Sequence, residues 1–162
     1  MNKIFLFLLL LFPLWANATD FDIAKTGQQP ATIVVDTTDW TGVRLAARDL
    51  SADIRRVCGK AAPVLVTTAV NQPGHGRIIA GTLDKSKIID NIVKAQKIDV
   101  RKLRGQWESY LIDVVDGNLV VVGSDKRGTI YGIYELSREM GVSPWYWWAD
   151  VPVKHQDHII YS

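Results

Sequence analysis

The sequence predicts an α/β fold in which about three helices and a mixed β-sheet form a two-layer sandwich. Short runs of β-branched residues indicate strands, and stretches with apolar residues every three or four positions indicate amphipathic helices between them. One Asp-Gly pair between two apolar runs is a strong hairpin signal. The predicted order is β-α-β-β-α-β-β-α. Helix crossovers favour parallel strand pairs and a hairpin is antiparallel, so we expect a mixed sheet with the three helices on one face.

The first half of the chain contains one predicted helix among three predicted strands. The strands span residues 32–36, 63–68 and 77–81. Between Val43 and Val57, apolar residues recur at three- and four-residue steps, which marks one face of a helix. Thr41 can cap the start of this helix, and Gly59 can end it.

Residues 86–122 have the pattern of a helix followed by a hairpin. The helix begins at about Ser86 and has isoleucine and valine residues on its buried side. The apolar runs 108–115 and 118–122 flank Asp116-Gly117. We therefore expect two antiparallel strands joined by a two-residue turn.

The last predicted helix spans roughly residues 127–140 and stops at Gly141. Asp125 is interpreted as its N-cap, because an aspartate oxygen can accept hydrogen bonds from exposed N–H groups of the first turn. The loop 123–129 superficially resembles an anion-binding turn, but it lacks the spacing of the phosphate-binding motifs, so phosphate binding is the less favoured interpretation. Inside the helix, Gly132 costs about 1 kcal/mol relative to alanine, which suggests close packing there.

The N-terminus has the pattern of a cleaved secretory signal. A lysine at position 3 precedes an apolar run over residues 4–12, and Ala16-Asn17-Ala18 gives the small-residue cleavage site before Thr19. The run is too short to span a bilayer, which needs about 20 residues, so a retained membrane anchor is disfavoured. We expect residues 1–18 to be removed and the protein to be secreted or periplasmic, without a membrane partner.

Composition and charge are those of an ordinary globular domain. Hydrophobic residues make up 48% and charged residues 22% of the 162 residues, and the formal net charge is +2. Because no basic block is present, nucleic acid is not expected as a partner. Cys58 is the only cysteine, which excludes an internal disulfide bond, and we interpret it as a small buried hydrophobe near a helix end.

No set of residues in the sequence predicts an active site or a metal site. The segment 155–158 contains two histidines, but only His75 could join them, and a metal needs three or four converging ligands. The candidate acid/base carboxylates are Glu108, Glu135, Glu139 and Asp150. The pair at 135 and 139 is four residues apart on a helix face, which is usual for solvated charges. We therefore predict no catalytic residue, no metal and no cofactor in this chain.

After Ser143 the pattern changes to that of an exit segment. We expect an α/β domain over residues 19–142 and an aromatic segment over 143–162. The candidate contact residues are Trp145, Tyr146, Trp147, Trp148 and Asp150. In an extended segment, four adjacent aromatic side chains would alternate between two sides, so one side would face the core and the other a second domain or a sugar. Burial against a second domain is the favoured interpretation.

The C-terminal third resembles a known family. Residues 123–137, with the sequence GSDKRGTIYGIYELS, and 141–153, with the sequence GVSPWYWWADVPV, resemble the N-terminal region of glycoside hydrolase family 115. Looser agreement occurs at residues 107–110 and at Gly42-Val43. The family comprises xylan α-1,2-glucuronidases. The resemblance implies a small α/β domain that precedes a (β/α)₈ barrel, whose carboxylates remove glucuronic or 4-O-methyl-glucuronic acid side chains from xylan with inversion.

The resemblance and the length of the chain together set the functional expectation. A barrel typically needs about 250 residues, more than this chain has, so we expect a non-catalytic N-terminal domain of a secreted xylan α-glucuronidase. Its expected partners are the catalytic barrel of the same enzyme and, through the whole enzyme, glucuronoxylan. The alternative is a free secreted module that binds xylan through Trp145, Trp147 or Trp148. Catalysis by the chain itself is the least favoured hypothesis.

Overall fold

The computed structural model describes residues 20–68, 74–149 and 151–162. Within these ranges, the strands are β1 Phe21–Lys25, β2 Thr32–Asp36, β3 Val64–Thr67, β4 Arg77–Thr82, β5 Tyr110–Val115, β6 Asn118–Gly123 and β7 His158–Tyr161, and the helices are α1 Thr41–Cys58, α2 Lys87–Lys94, α3 Lys126–Glu139 and α4 Tyr146–Ala149. The predicted mixed α/β class is confirmed. The predicted signal peptide lies outside the described residues. No described helix is both long enough and apolar enough to cross a membrane.

The main sheet has five strands in the order β3-β2-β4-β6-β5. The pairs β2–β3, β2–β4 and β4–β6 are parallel, and β5 is antiparallel to β6, so the predicted mixed sheet is confirmed. Asp116 and Gly117 connect β5 to β6 with φ angles of 48° and 68°, the left-handed region that a tight hairpin turn of this kind requires. The predicted hairpin is therefore confirmed.

The helices cover both faces of this sheet, which corrects the expectation that all three share one face. α1 and α3 pack in a core with Ile33, Ile78 and Leu119, whereas α2 packs in a second core with Val34 and Ile79, whose side chains point to the opposite face. The physical reason is visible in the strands. β2, β4 and β6 are continuous apolar runs rather than alternating ones, and such strands need cover on both faces.

A second, two-stranded sheet was not predicted. β1 pairs antiparallel with β7, with Phe21 opposite Tyr161. The side chains of Ile23 and Ile159 lie in the same core as α1 and α3. The end of the segment expected to leave the domain therefore packs against the body of the domain.

The ends of the helices match the sequence in most details. Trp40, and not Thr41, is the N-cap residue of α1, and its side chain makes no capping hydrogen bond. Gly59 ends α1 as expected, with φ of 82° and its N–H donating to the carbonyl oxygen of Arg55. The close packing inferred for Gly132 is confirmed, because a Cβ there would lie 2.7 Å from a methyl carbon of Val121.

The parallel strands give the domain two distinct ends. α1, α2 and α3 follow β2, β4 and β6, so all three helices begin at the carboxyl end of these strands. α1 and α3 then run back along the sheet toward its amino end. With 18 residues at 1.5 Å each, α1 extends over roughly 27 Å. Residues near its start and near its end therefore belong to well-separated surfaces.

Candidate functional site

A buried hydrogen-bond network links the loops at the carboxyl end of the sheet. The carboxylate of Asp39 accepts hydrogen bonds from the backbone N–H groups of Trp40 (2.7 Å) and Thr82 (2.8 Å) and from the Thr82 hydroxyl (2.9 Å). The Thr82 hydroxyl also lies 2.8 Å from the hydroxyl of Thr129 in α3. Burial raises the pKa of the Asp39 carboxyl, although the hydrogen bonds oppose this shift. The loops after β2 and β4 and the start of α3 are thereby tied together.

A second buried aspartate at this end caps α2. Asp36 accepts hydrogen bonds from the N–H and hydroxyl of Thr38, each at 2.8 Å, and from the N–H of Ile88 at 3.1 Å. The hydroxyl of Ser86 accepts a further hydrogen bond from Ile89 at 3.3 Å. Two first-turn N–H groups of α2 are therefore already bound by the protein.

Asp125 caps α3, as predicted. Its carboxylate accepts hydrogen bonds from the N–H of Gly128 (2.8 Å) and of Glu108 (2.9 Å), and these bonds, with that from Glu108 the stronger influence, lower its pKa. The cap occupies donors with which the turn before α3 could otherwise hold an anion. The arrangement supports the capping interpretation over phosphate binding.

Above this network lies an exposed group of aromatic and charged side chains, which we call the carboxyl-end platform. It consists of Trp40, Lys85, Trp107, Glu108, Arg127 and Tyr131. Trp107 is 86% exposed and Trp40 44% exposed. The ammonium of Lys85 lies 4.6 Å from the ring centroid of Trp40, and the guanidinium of Arg127 lies 5.7 Å from that of Tyr131. Aromatic rings and cations are therefore interleaved across this surface.

Backbone strain accompanies the exposure of Trp107. The next residue, Glu108, has φ of 54°, an uncommon conformation for a side chain of this type. Its N–H is held by Asp125, and its carboxylate forms a 2.6 Å ion pair with Arg127.

The predicted aromatic contact segment lies near the other end of α1. Tyr146–Ala149 form one helical turn, which corrects the expectation of an extended segment with alternating side chains. The carbonyl of Ser143 accepts a hydrogen bond from the Tyr146 N–H, which closes a four-residue turn, and Pro144 occupies the second position of this turn, where proline is favoured. The Ser-Pro start therefore favours a turn over a strand.

The side chains of this segment differ in their surroundings. Trp145 is 64% exposed. Tyr146 is half-buried, and the guanidinium of Arg56, near the end of α1, lies 5.1 Å from its ring centroid. The backbone of Trp147 and Trp148 is helical, but their side chains and the whole of Asp150 lie outside the part of the chain that the structure describes.

The remaining candidate carboxylates are at separate positions. Glu108 belongs to the carboxyl-end platform, whereas Glu135 and Glu139 lie on α3. A 2.5 Å ion pair with Arg138 lowers the pKa of Glu135, and partial burial raises the pKa of Glu139. The cavity on this side of the domain, of about 320 Å³, is lined by Asp53, Tyr134, Ser137, Arg138, Val142, Ser143 and Pro144, and not by either glutamate.

His75 and His158 each make a polar contact with another residue, and Cys58 lies against the core. His75 contacts the carbonyl of Asp116 at 2.9 Å, and His158 contacts Asp22 at 2.7 Å. Across the described residues, no three His, Cys, Asp or Glu side chains are placed to hold a metal ion. Cys58 is half-buried against the core at the last position of α1, and it is a free thiol.

Sequence reasoning missed the network and the platform at the carboxyl end. A signal was available, because Asp36 ends one parallel strand and Asp39 follows it, while Thr82 ends another and Ser86 follows that one. The carboxyl ends of parallel strands lie at one edge of a sheet, where ligands bind in many α/β proteins. Neither strand segment, however, contains a local sequence pattern that predicts that the two strands are neighbours in the sheet.

Residues 19–136 match the sequence family described as glycosyl hydrolase family 67 N-terminus. The chain belongs to this family. Its members share the N-terminal part of a glycosyl hydrolase, so the match agrees with an N-terminal domain predicted from the sequence. No curated protein sequence is similar enough to the chain to count as a match.

A solved structure gives an independent comparison. It is a family GH115 4-O-methyl-α-glucuronidase with specificity for decorated arabinogalactans, 36% identical in sequence, with a TM-score of 0.73. The comparison covers 88% of this chain but only 17% of the solved one. The predicted glucuronidase N-terminal domain is supported at this level. The finer assignment to family 115 stays a prediction, because the matching family description is that of family 67.

Proposed function

We propose that this chain is the non-catalytic N-terminal domain of a secreted family 115 α-glucuronidase, an enzyme that removes 4-O-methyl-glucuronic acid side chains from glucuronoxylan. The observation that carries the proposal is the structural match to a 4-O-methyl-α-glucuronidase at 36% identity over 88% of the chain. The matched region is a small part of that longer protein, which supports a domain role. Export is supported by the signal-like pattern of residues 1–18.

The environment of the carboxylates supports a non-catalytic role. An inverting glycosidase needs one protonated carboxylic acid and one carboxylate on opposite sides of the scissile bond. Glu108 and Glu135 each pair with an arginine. The hydrogen bond from Arg138 lowers the pKa of Glu135, which favours its ionised form. Glu139 has a raised pKa but lies on the same helix as Glu135, four residues away, where no described cleft separates the two groups.

The aromatic segment is the proposed docking surface for the catalytic barrel. Trp145 is a large apolar side chain left mostly in solvent, and Tyr146 is stacked against Arg56 beside it. Tryptophan, tyrosine and arginine are the residues most enriched in interface hot spots. A partner that covers Trp145 would remove from water much of the roughly 150–250 Å² that an aromatic side chain buries when it is fully covered.

The proposal is tested by an activity measurement and by the gene. The purified chain should release no uronic acid from glucuronoxylan or from a decorated arabinogalactan, because the barrel that carries the catalytic carboxylates is not part of it. The DNA that follows the codon for Ser162 should encode a barrel of about 250 residues. Uronic acid release that is lost in Glu135→Gln or Glu139→Gln would contradict the non-catalytic role. A stop codon directly after Ser162 would contradict the role as a domain of a longer enzyme.

Docking through the aromatic segment predicts an effect of Trp145→Ser. In the longer enzyme, this substitution should lower the midpoint of thermal unfolding and expose the junction after residue 162 to protease, because a buried contact is lost. In the isolated chain, the same substitution should reduce self-association, measured by analytical ultracentrifugation at high concentration. Trp107→Ser, at the opposite end of the domain, is the matched control. Equal behaviour of the two variants would show that Trp145 is not the contact.

A further inference from the structure

We propose that the carboxyl-end platform is a binding surface for an acidic saccharide, in which Trp107 stacks on a sugar ring and Lys85 pairs with a uronate carboxylate. The inference deepens the proposed function, since it assigns contact with uronate-bearing polysaccharide to this domain. It does not depend on the aromatic segment. Trp40 caps α1, and Arg56, which contacts the aromatic segment, lies 16 residues further along the same helix, roughly 24 Å away.

Trp107 is held in an exposed position by the loop that carries it. At 86% exposure it is the most exposed large hydrophobic side chain among the described residues. It precedes a residue in the left-handed region, and the backbone of the two residues that follow it is held by hydrogen bonds. The N–H of Glu108 donates to Asp125, and the N–H of Ser109 donates to the hydroxyl of Ser124. A strained and well-held loop that presents an apolar ring to water indicates a ligand.

The charges of the platform favour an anionic ligand. The exposed carboxylates at this end, Glu108 and Asp84, are each paired with an arginine, Arg127 and Arg104. Within the described ranges, Lys85 has no carboxylate within the 4.0 Å of an ion pair. The buried aspartates below are satisfied by hydrogen bonds from the protein. Lys85 therefore carries a positive charge that no carboxylate of the described residues neutralises.

The spacing of the platform suits an extended chain of sugars. Its residues come from the loops next to β2, β4 and β5 and from the first two turns of α3, which follows β6. The strands β2, β4, β6 and β5 are neighbours in that order. Three intervals between strands of about 4.8 Å each give a width of roughly 14 Å. Trp40, which follows β2, and Trp107, which precedes β5, belong to the two ends of this width, and Lys85 follows β4 between them.

A saccharide acid fits this surface better than the other anionic ligands. A phosphate site at a helix start uses free backbone N–H groups, but Asp36 and Asp125 occupy such groups here. Protein interfaces are depleted in lysine, whereas Lys85 lies over the ring of Trp40. A uronate combines a carboxylate with an apolar sugar face, and both features have matching groups on the platform.

The test measures binding of two matched oligosaccharides to the 162-residue chain by calorimetry and by ¹H–¹⁵N NMR. One oligosaccharide carries a single 4-O-methyl-glucuronate, and the other is the same molecule with its carboxyl group reduced to an alcohol. We expect the acid to bind more tightly and to shift resonances at the carboxyl-end platform.

Trp107→Ala should weaken binding of the acid roughly tenfold. Lys85→Met, which keeps an apolar side chain but removes the charge, should reduce the preference for the acid. Trp145→Ser should leave binding unchanged.

Three outcomes would overturn the proposal: no binding at millimolar oligosaccharide, equal binding of the acid and the reduced sugar, or binding that depends on Trp145 and not on Trp107. Loss of association between this domain and the rest of the enzyme in Trp107→Ala would also overturn it, since the platform would then be a protein interface. The binding measurements need no catalytic barrel. The proposed function would instead be contradicted by uronic acid release or by a stop codon after Ser162, and these results are distinct from any result of the binding measurements.

Discussion

Replacing Asp39 by alanine should lower the free energy of unfolding by about 3–5 kcal/mol. The substitution leaves the N–H groups of Trp40 and Thr82 without their acceptor, and the hydroxyl of Thr82 loses a partner as well. A buried donor without a partner costs about 1–3 kcal/mol. Urea unfolding followed by circular dichroism measures the loss. Asp113→Ala, at an exposed position of β5, is the control and should change stability by no more than about 0.5 kcal/mol.

Asp39→Asn separates the charge of this side chain from its hydrogen bonds. The amide keeps one acceptor oxygen, so the loss of stability should be smaller than in Asp39→Ala. The pKa of Asp39 is raised in the folded protein, so the folded state binds the proton more tightly than the unfolded state. The wild-type protein should therefore gain stability relative to Asp39→Asn as the pH falls from the raised pKa toward 3.8, the ordinary value. A difference between the two proteins that does not change with pH would contradict this assignment.

Gly128→Ala should destabilise the domain by about 3 kcal/mol, at the upper end of the usual cost of overpacking. A Cβ at this position would lie 2.1 Å from the carbonyl oxygen of Ser109 and 2.9 Å from its carbonyl carbon. These are backbone atoms, and the same oxygen accepts a hydrogen bond from the Ser124 N–H at 2.8 Å. The first turn of α3 or the start of β5 must therefore move.

Gly42→Ala is the matched control, because Gly42 lies in the first turn of α1. A Cβ there would meet only the terminal methyl carbon of Ile130, at 3.1 Å, and a side-chain end can move aside. Alanine also has a higher helix propensity than glycine, by up to about 1 kcal/mol. We expect a small change in stability or a slight gain. If chemical unfolding shows equal losses for the two variants, the contact with Ser109 does not explain the requirement for glycine at position 128.

Local patterns in the sequence were sufficient for most of the main sheet. The strands β2, β3 and β4, the Asp116-Gly117 hairpin and the bounds of α3 follow from signals within a few residues. β1 and β7 were missed because each is short and its partner lies more than a hundred positions away, so no local pattern shows the pairing. The predicted face for α2 was wrong, because the face that a helix covers depends on whether both faces of the sheet are apolar and need cover.

The candidate site was less predictable than the fold. The run of four adjacent aromatic residues predicted a contact surface in the aromatic segment, and the exposure of Trp145 is consistent with it. The helical turn of this segment was missed because aromatic residues have no strong helical preference and a Ser-Pro pair is only a weak signal for a helix start. At the other end, the exposure of Trp107 results from the positive φ of Glu108 and from bonds to Asp125, which no spacing in the sequence reveals.

The pairing of β1 with β7 has a consequence for how the chain is made. β1 is the first strand to leave the ribosome, but its only strand partner among the described residues is β7, the last. At 5–20 residues per second, β7 follows β1 by roughly 7–27 s of synthesis. During this interval Phe21 and Ile23, which are buried in the finished domain, belong to an unpaired strand that can bind other chains. The nascent protein should therefore be prone to aggregation, and dependent on chaperones, until β7 has been translated.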